Sequence, residues 1–268
     1  MGRDREGYIS PMATPVDQLE PGDHACLTFT DPAERTDILA AFVADGLDRG
    51  EKVISYTEGD QLWDGTAGPD ARTMVRRLAD EVTKAERAGH SGLRITADTC
   101  WAARPQANAE QLLMFESEVG TLFATGKLTA ICEYDRESFD PVTLAYAARV
   151  HPRTVAATVY HQDPVLRICR QHVPPGVRVA GELDYSRAEV LSDALAEAVR
   201  LDQHVHLNLN HLRFIDAGAA AVILRTAADL PATRGMVVVC GAQVGRTLTV
   251  AGAGDVANLR LLVRDEQS

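Results

Sequence analysis

Residues 24–56 read HACLTFTDPAERTDILAAFVADGLDRGEKVISY, and this stretch decides the fold class. A short apolar strand over 25–29 is followed by an N-cap residue, Asp31, with Pro32 at the first helical position. Apolar residues then recur at helical spacing as far as Gly50, and 52–56 reads as a second strand. A strand–helix–strand unit of this kind predicts an α/β fold with a mostly parallel sheet.

The same alternation continues along the chain and divides it into two domains. Two prolines and a glycine at 174–176 predict a linker, and a second, smaller α/β pattern follows it. We expect a flexible arm over 1–18, a first domain over 19–170, a linker over 171–176 and a second domain over 177–266. The predicted elements of the first domain include strands at 92–96, 128–134 and 154–159 and helices at 74–87, 110–123 and 142–150. Those of the second are strands at 177–184, 204–209 and 236–240 and helices at 186–199, after 216 and at 246–251.

Composition excludes several classes of protein. The chain has 268 residues and a formal net charge of -11, so binding to nucleic acid through its phosphates is not expected. The five cysteines form no CxxC pair and predict neither a disulfide framework nor a zinc cluster. No apolar run approaches the roughly 20 residues that cross a bilayer, and the first 15 residues do not read as a secretory signal. The expected location is the cytoplasm, without a membrane partner.

The second domain carries an ordered set of family features. They are the turn at 181–184, the strand Leu207-Asn208-Leu209, the segment Phe214-Ile215-Asp216 before a helix, Val222-Ile223-Leu224 on that helix and the strand 237–241. Because these features occur in this order, residues 177–264 resemble a STAS domain, the module of anti-sigma-factor antagonists. The resemblance implies an anti-sigma factor or a histidine-kinase-like ATPase as the partner.

The switch segment of that family departs from its pattern here. Members that are switched read Asp-Ser-Ser/Thr-Gly, and their first serine is phosphorylated at a helix N-terminus. This chain reads Asp216-Ala217-Gly218, and alanine has no hydroxyl that could accept a phosphoryl group. The resemblance implies that these three residues belong to the docking face, with Leu230 and Pro231 beside them. Read from the residues alone, Asp216 is a helix N-cap.

Residues 19–170 resemble the MEDS domain, a predicted sensor domain of methanogen and methylotroph regulators. The matching pieces occur in order along the chain, at 22–26, 46–52, 92–96, 101, 115–116, 131–136 and 151–152. The same segment also resembles a degenerate P-loop ATPase core. The turn after the first strand, 29–35, contains no glycine and no lysine, so we expect no ATP.

Polar residues near strand ends are the candidate ligand-binding residues of the first domain. Ligands of open parallel sheets lie beyond the carboxyl ends of strands, which favours a small-ligand or redox-sensing pocket. The candidates are His24, Cys26, Glu58, Trp101, Cys132, Asp135 and His151, with His161 as a further one. The histidines and cysteines could also hold a metal, but their spacing has no signature, and no metal site or cofactor is assigned.

Most of these candidates also have a purely structural explanation. Cys26, Cys132 and Trp101 suit an apolar core, and His151 suits the end of a helix. The leading hypothesis is a non-enzymatic signalling protein with a sensor domain and a partner-binding module. The alternatives are a residual nucleotide- or thiol-dependent enzyme in the first domain and a passive scaffold, and no nucleophile elbow supports the enzyme.

Overall fold

The computed structural model describes residues 13–57, 70–103 and 109–264. The chain divides into two compact units, Met1–Ala156 and Ala157–Ser268. Within the first, a five-stranded sheet has the order β2-β3-β4-β1-β5, and every neighbouring pair is parallel. The predicted α/β fold with a mostly parallel sheet is confirmed. The elements are β1 (His24–Phe29), α1 (Pro32–Asp48), β2 (Lys52–Tyr56), α2 (Ala71–Arg87), β3 (Leu93–Asp98), α3 (Ala109–Phe123), β4 (Leu128–Asp135), α4 (Pro141–Val150) and β5 (Arg153–Val155).

Helices cover both faces of this first sheet. Leu93 and Arg94 are consecutive in β3 and therefore point to opposite faces. Leu93 joins the apolar core that contains Met74 of α2. Arg94 donates a hydrogen bond to the backbone oxygen of Phe42 in α1 at 2.9 Å. The unit is a three-layer α/β/α arrangement, as burial of a parallel sheet on both faces requires.

The second unit is built on a six-stranded mixed sheet of order β11-β10-β9-β8-β7-β6. Strands β8 to β11 run parallel, and β6 and β7 extend the sheet as antiparallel strands. Alternate β9 residues Val205, Leu207 and Leu209 are fully buried in a core shared with the helices. The elements are β6 (Val159–Gln162), β7 (Leu166–Gln171), β8 (Gly176–Leu183), α5 (Ala188–Leu201), β9 (His204–Ile215), α6 (Ala217–Ala228), β10 (Gly235–Gly241), α7 (Ala242–Val250) and β11 (Leu259–Arg264).

The division between the units corrects the predicted linker. The last residue of β7, Gln171, pairs with the first residue of β8, Gly176, so the prolines lie in a tight hairpin turn. Proline is tolerated there because a turn needs fewer backbone N–H donors than a strand does. The Gln171 side chain donates to the backbone oxygen of Pro174 at 2.9 Å. The strand predicted over 154–159 is two strands, β5 and β6, in different sheets.

Other elements extend beyond their predicted ends. β9 continues to Ile215 rather than ending at Leu209, with Leu212 and Ile215 still buried. The polar pair at 210–211 resembles a turn in the sequence, yet it lies within the strand. β11 was not predicted. Of the predicted arm over 1–18, Val16 is buried and lies in a short 3₁₀ helix, so this part of the arm is packed.

Gly176, the first residue of β8 after the hairpin turn, lies where only glycine fits. A Cβ at this position would lie 1.8 Å from the backbone oxygen of His206, a distance that no side chain tolerates. Since the clash is with backbone, β8 and β9 would have to separate locally.

We therefore expect Gly176→Ala to lower the free energy of unfolding of the second unit by about 3 kcal/mol. The control is Gly254→Ala, because a Cβ there meets nothing within 4 Å. Urea unfolding of both variants measures the difference. Equal midpoints for Gly176→Ala, Gly254→Ala and wild type would contradict the close approach of the two strands.

Candidate functional site

The pairing of β1 with β4 creates the polar centre of the first unit. In this parallel ladder His24 is opposite Ala130, and Cys26 is opposite Cys132. Because side chains alternate along a strand, these four residues lie on one face of the sheet. Tyr134, two positions after Cys132, lies on the same face, which α3 and α4 cover.

Two side chains from the covering helices complete a compact group, which we name the buried cluster. It consists of His24, Glu116, Cys132 and His151. Glu116 lies on α3, and His151 is the C-cap residue of α4. One ligand-capable atom from each residue lies within 4.8 Å of the other three, and all four residues are buried.

Two of the three short distances in the buried cluster meet at one carboxylate oxygen. Oε2 of Glu116 lies 3.5 Å from Nε2 of His24 and 3.5 Å from Nε2 of His151. Nε2 of His24 also lies 3.4 Å from Sγ of Cys132. Among the described residues, neither Oε2 of Glu116 nor Nε2 of His151 has a hydrogen-bond partner. Buried polar atoms are rarely left in this state, so the arrangement requires an explanation.

Neighbouring groups hold the buried cluster in this orientation. The Tyr134 hydroxyl donates to Oε1 of Glu116 at 2.7 Å. Nδ1 of His151 lies 2.8 Å from the backbone oxygen of Ala147, and a carbonyl can only accept, so Nδ1 carries the proton. Nε2 is therefore the nitrogen of His151 that faces Glu116. The His24 ring stacks on Phe123 at a centroid distance of 4.1 Å.

Burial determines the protonation states of the buried cluster. Desolvation, with a smaller contribution from His151, lowers the pKa of His24 to about 2. Desolvation raises the pKa of Glu116 and raises that of Cys132 well above its usual value. The pair of Cys132 and His24 therefore favours thiol and neutral imidazole rather than the thiolate and imidazolium of a cysteine nucleophile. This electrostatic arrangement does not favour the thiol-dependent enzyme alternative.

The structure separates the remaining sequence candidates. Cys26 lies on the face of the buried cluster, but its Sγ contacts Oγ1 of Thr154 at 3.6 Å. Trp101 is a core residue in a short 3₁₀ helix, and Asp135 accepts hydrogen bonds within its own turn. His161 belongs to the second unit. Glu58 lies outside the described residues.

The expected position at the carboxyl ends of the strands is also corrected. His24 is the first residue of β1, and Cys132 lies in the middle of β4. The buried cluster therefore lies on a covered face of the sheet rather than beyond its edge. Glu116 was missed as a site residue, although the sequence contains a signal for it. It falls among Leu112, Phe115 and Val119 on the apolar stripe of α3, where an acidic residue is unexpected.

A different group occupies the end of the sheet where a P-loop would hold phosphate. Arg35 of α1 donates to Oε2 of Glu133 at 2.5 Å and to Oδ2 of Asp98 at 3.1 Å. Burial raises the pKa of Glu133 to about 7, against the opposing effect of Arg35. Asp31 caps α1 by accepting from the N–H of Ala33 at 2.8 Å. The resemblance to a P-loop core is not confirmed, because these acids take the place of a phosphate cradle.

The predicted docking residues lie at the amino end of α6. Asp216 is the N-cap, and its Oδ1 accepts from the N–H of Ala219 at 2.8 Å. Its Oδ2 accepts from the N–H of Tyr185 at 2.8 Å. A Cβ on Gly218 would lie 3.0 Å from Cβ of Tyr185, so the glycine permits this close approach. The tyrosine, which the sequence did not suggest, is 76% exposed.

We call Tyr185, Asp216, Ala217 and Gly218 the α6 amino-terminal surface. Leu230 and Pro231, which the family resemblance adds to the docking face, follow the other end of α6. Twelve helical residues span about 18 Å, and Leu230 is buried, so these two residues do not share a compact patch with Ala217.

The state of the thiols yields a testable prediction. Cys26, Cys132, Cys169 and Cys240 are buried, and burial together with Asp98 raises the pKa of partly exposed Cys100 to about 12. At pH 7 a thiol with that pKa is ionised in roughly one molecule in 10⁵. We expect all five thiols to react slowly with an aromatic disulfide reagent in the native protein and rapidly after unfolding in urea. Rapid native modification of Cys26 or Cys132 would contradict the enclosed geometry.

Comparisons with known protein families match this architecture. The family model for the MEDS domain, described as the methanogen/methylotroph, DcmR sensory domain, matches residues 59–152. A STAS model, described as Mlab, STAS domain, matches residues 167–263, which includes β7. Among the described residues, no helix combines the length and apolar character needed to span a membrane. The chain therefore carries a MEDS sensory domain over residues 59–152 and a STAS domain over residues 167–263, which supports a signalling protein with an anti-sigma-factor-antagonist-like module.

Proposed function

We propose that the chain is a signalling adaptor whose α6 amino-terminal surface binds an anti-sigma factor or a histidine-kinase-like ATPase. The observation that carries this proposal is the exposure of Ala217 and Gly218 beside the exposed ring of Tyr185. A large aromatic ring next to small residues is a favourable anchor for a protein partner. The membership of this unit in the STAS family supports the choice of partner.

Docking through this surface is independent of phosphorylation at Ala217. The methyl side chain cannot form a phosphate ester, so the electrostatic switch of the related modules is absent at this position. The first turn of α6 bears no acidic residue apart from its N-cap. The charge of this surface at position 217 is therefore constant when the partner binds. Regulation enters through the first unit, which contains the MEDS domain.

The sensory input is assigned to the first unit because the MEDS family is described as sensory. The raised pKa values of Cys26, Cys100 and Cys132 disfavour a signal that depends on rapid thiol oxidation. Binding of a small ligand is the form of input that remains compatible with these thiols. All five cysteines are free, which supports action in the reducing cytoplasm.

The docking surface is tested by placing a charge in it. We expect Ala217→Glu to weaken partner binding at least about tenfold, because the partner would have to bury an unpaired carboxylate. The matched control is Ala257→Glu. Ala257 is exposed in the turn before β11, at the amino ends of the parallel strands, whereas Ala217 follows the carboxyl end of β9.

The measurement is affinity capture of the full-length protein from its own cells, with quantitative mass spectrometry. Wild type and Ala257→Glu should recover an anti-sigma factor or a histidine-kinase-like ATPase, and Ala217→Glu should lose it. Equal recovery by both variants would place the docking surface elsewhere. Recovery of neither partner class by wild type would contradict the adaptor function.

A further inference from the structure

We propose that the buried cluster is a metal site that binds one Zn²⁺ ion. Its four side chains supply two imidazole nitrogens, one carboxylate oxygen and one sulfur atom. These are the donor types that zinc takes in proteins, and four protein ligands are typical of a closed, structural site. The inference concerns the first unit alone and does not depend on the docking function of the second.

The spacing of the donor atoms fits tetrahedral coordination. Zinc bonds of about 2.0–2.3 Å arranged tetrahedrally place ligand atoms about 3.3–3.6 Å apart. Three separations in the buried cluster are 3.4, 3.5 and 3.5 Å. All four donors lie within 4.8 Å of one another, so small side-chain rotations would complete the tetrahedron.

The hydrogen bonds around the buried cluster are those of an oriented ligand set. Nδ1 of His151 is held by the Ala147 carbonyl, which leaves Nε2 for the ion. Oε1 of Glu116 is held by the Tyr134 hydroxyl, which leaves Oε2 for the ion. Both remaining atoms are buried and lack a hydrogen-bond partner among the described residues. Groups that fix a ligand through its second polar atom are a regular feature of metal sites.

Charge balance favours a divalent ion. A bound thiolate and a bound carboxylate supply two negative charges, and the two imidazoles are neutral ligands. One Zn²⁺ ion therefore gives a site without net charge, which a buried position requires. The ion would join α3, β4 and the end of α4, which are consecutive in the chain, to the distant strand β1.

Metal content tests the proposal directly. Purified full-length protein is treated with a chelator, loaded with Zn²⁺, dialysed and analysed by plasma mass spectrometry. We expect one zinc ion per chain for wild type and at least about 100-fold weaker affinity for Cys132→Ser and Glu116→Gln. Cys26→Ser is the matched control, because this thiol occupies the paired position on β1 outside the buried cluster and should leave binding unchanged.

Loading with Co²⁺ keeps the test decisive if a variant does not fold. Wild type should show intense visible bands of tetrahedral Co²⁺ and a thiolate-to-metal charge-transfer band in the near ultraviolet. Cys26→Ser should retain both, and folded Cys132→Ser should lose the charge-transfer band. Failure of wild type to retain either ion, or a weak octahedral spectrum without the thiolate band, would overturn the proposal and leave the docking function untouched.

A positioning residue provides a further prediction. Tyr134→Phe removes only the hydroxyl that orients Glu116, so we expect zinc affinity to fall about tenfold while the stoichiometry stays at one. Competition with a chromophoric chelator measures the affinity. Unchanged affinity would contradict the positioning role of the Tyr134 hydroxyl.

Discussion

The carboxyl group of Glu116 lies inside the apolar core of the first unit, and the rest of that unit is arranged around its burial. A buried carboxyl group is costly unless polar partners surround it. Tyr134 contacts one of its oxygens, and the imidazoles of His24 and His151 converge on the other. These contacts require α3, α4, β1 and β4 to meet at one place, which the parallel register of β1 and β4 allows. The position of the carboxyl group links the order of the strands to the chemistry of the site.

Local patterns predicted most of the elements, because caps and periodicity depend on neighbouring residues. The strand expected at 52–56 has those ends in the structure, and Asp31 and Asp216 are helix caps. Prediction failed where local and tertiary signals compete. The prolines near 174 indicate a linker, but pairing of β7 with β8 makes them a hairpin turn. β11 was missed because none of its residues is fully buried and its pairing depends on β10, its parallel neighbour.

The candidate site was harder to predict than the elements, because its residues come together only through tertiary structure. The sequence singled out His24, Cys132 and His151, but it could not show that they meet, since they lie on three separate elements. That information resides in the strand order β2-β3-β4-β1-β5, which places β1 beside β4. Metal signatures based on short spacing cannot detect His24, which lies more than a hundred residues before Cys132 and His151. Glu116 was detectable only as an acidic residue on an apolar helical stripe, a pattern that predicts burial but not a partner.

We propose that the two units divide the work of a signalling protein between an enclosed polar site and a small exposed surface. In the first, buried side chains with perturbed pKa values form a site that suits an ion better than a reactive thiol. In the second, the proposed docking surface exposes Ala217, which has no hydroxyl that could be phosphorylated. The most direct test of this account is X-ray absorption at the zinc edge of the metal-loaded full-length protein. The account predicts four ligands, with one sulfur at about 2.3 Å and three nitrogen or oxygen atoms at about 2.0–2.1 Å. A shell of six oxygen atoms without sulfur would contradict it.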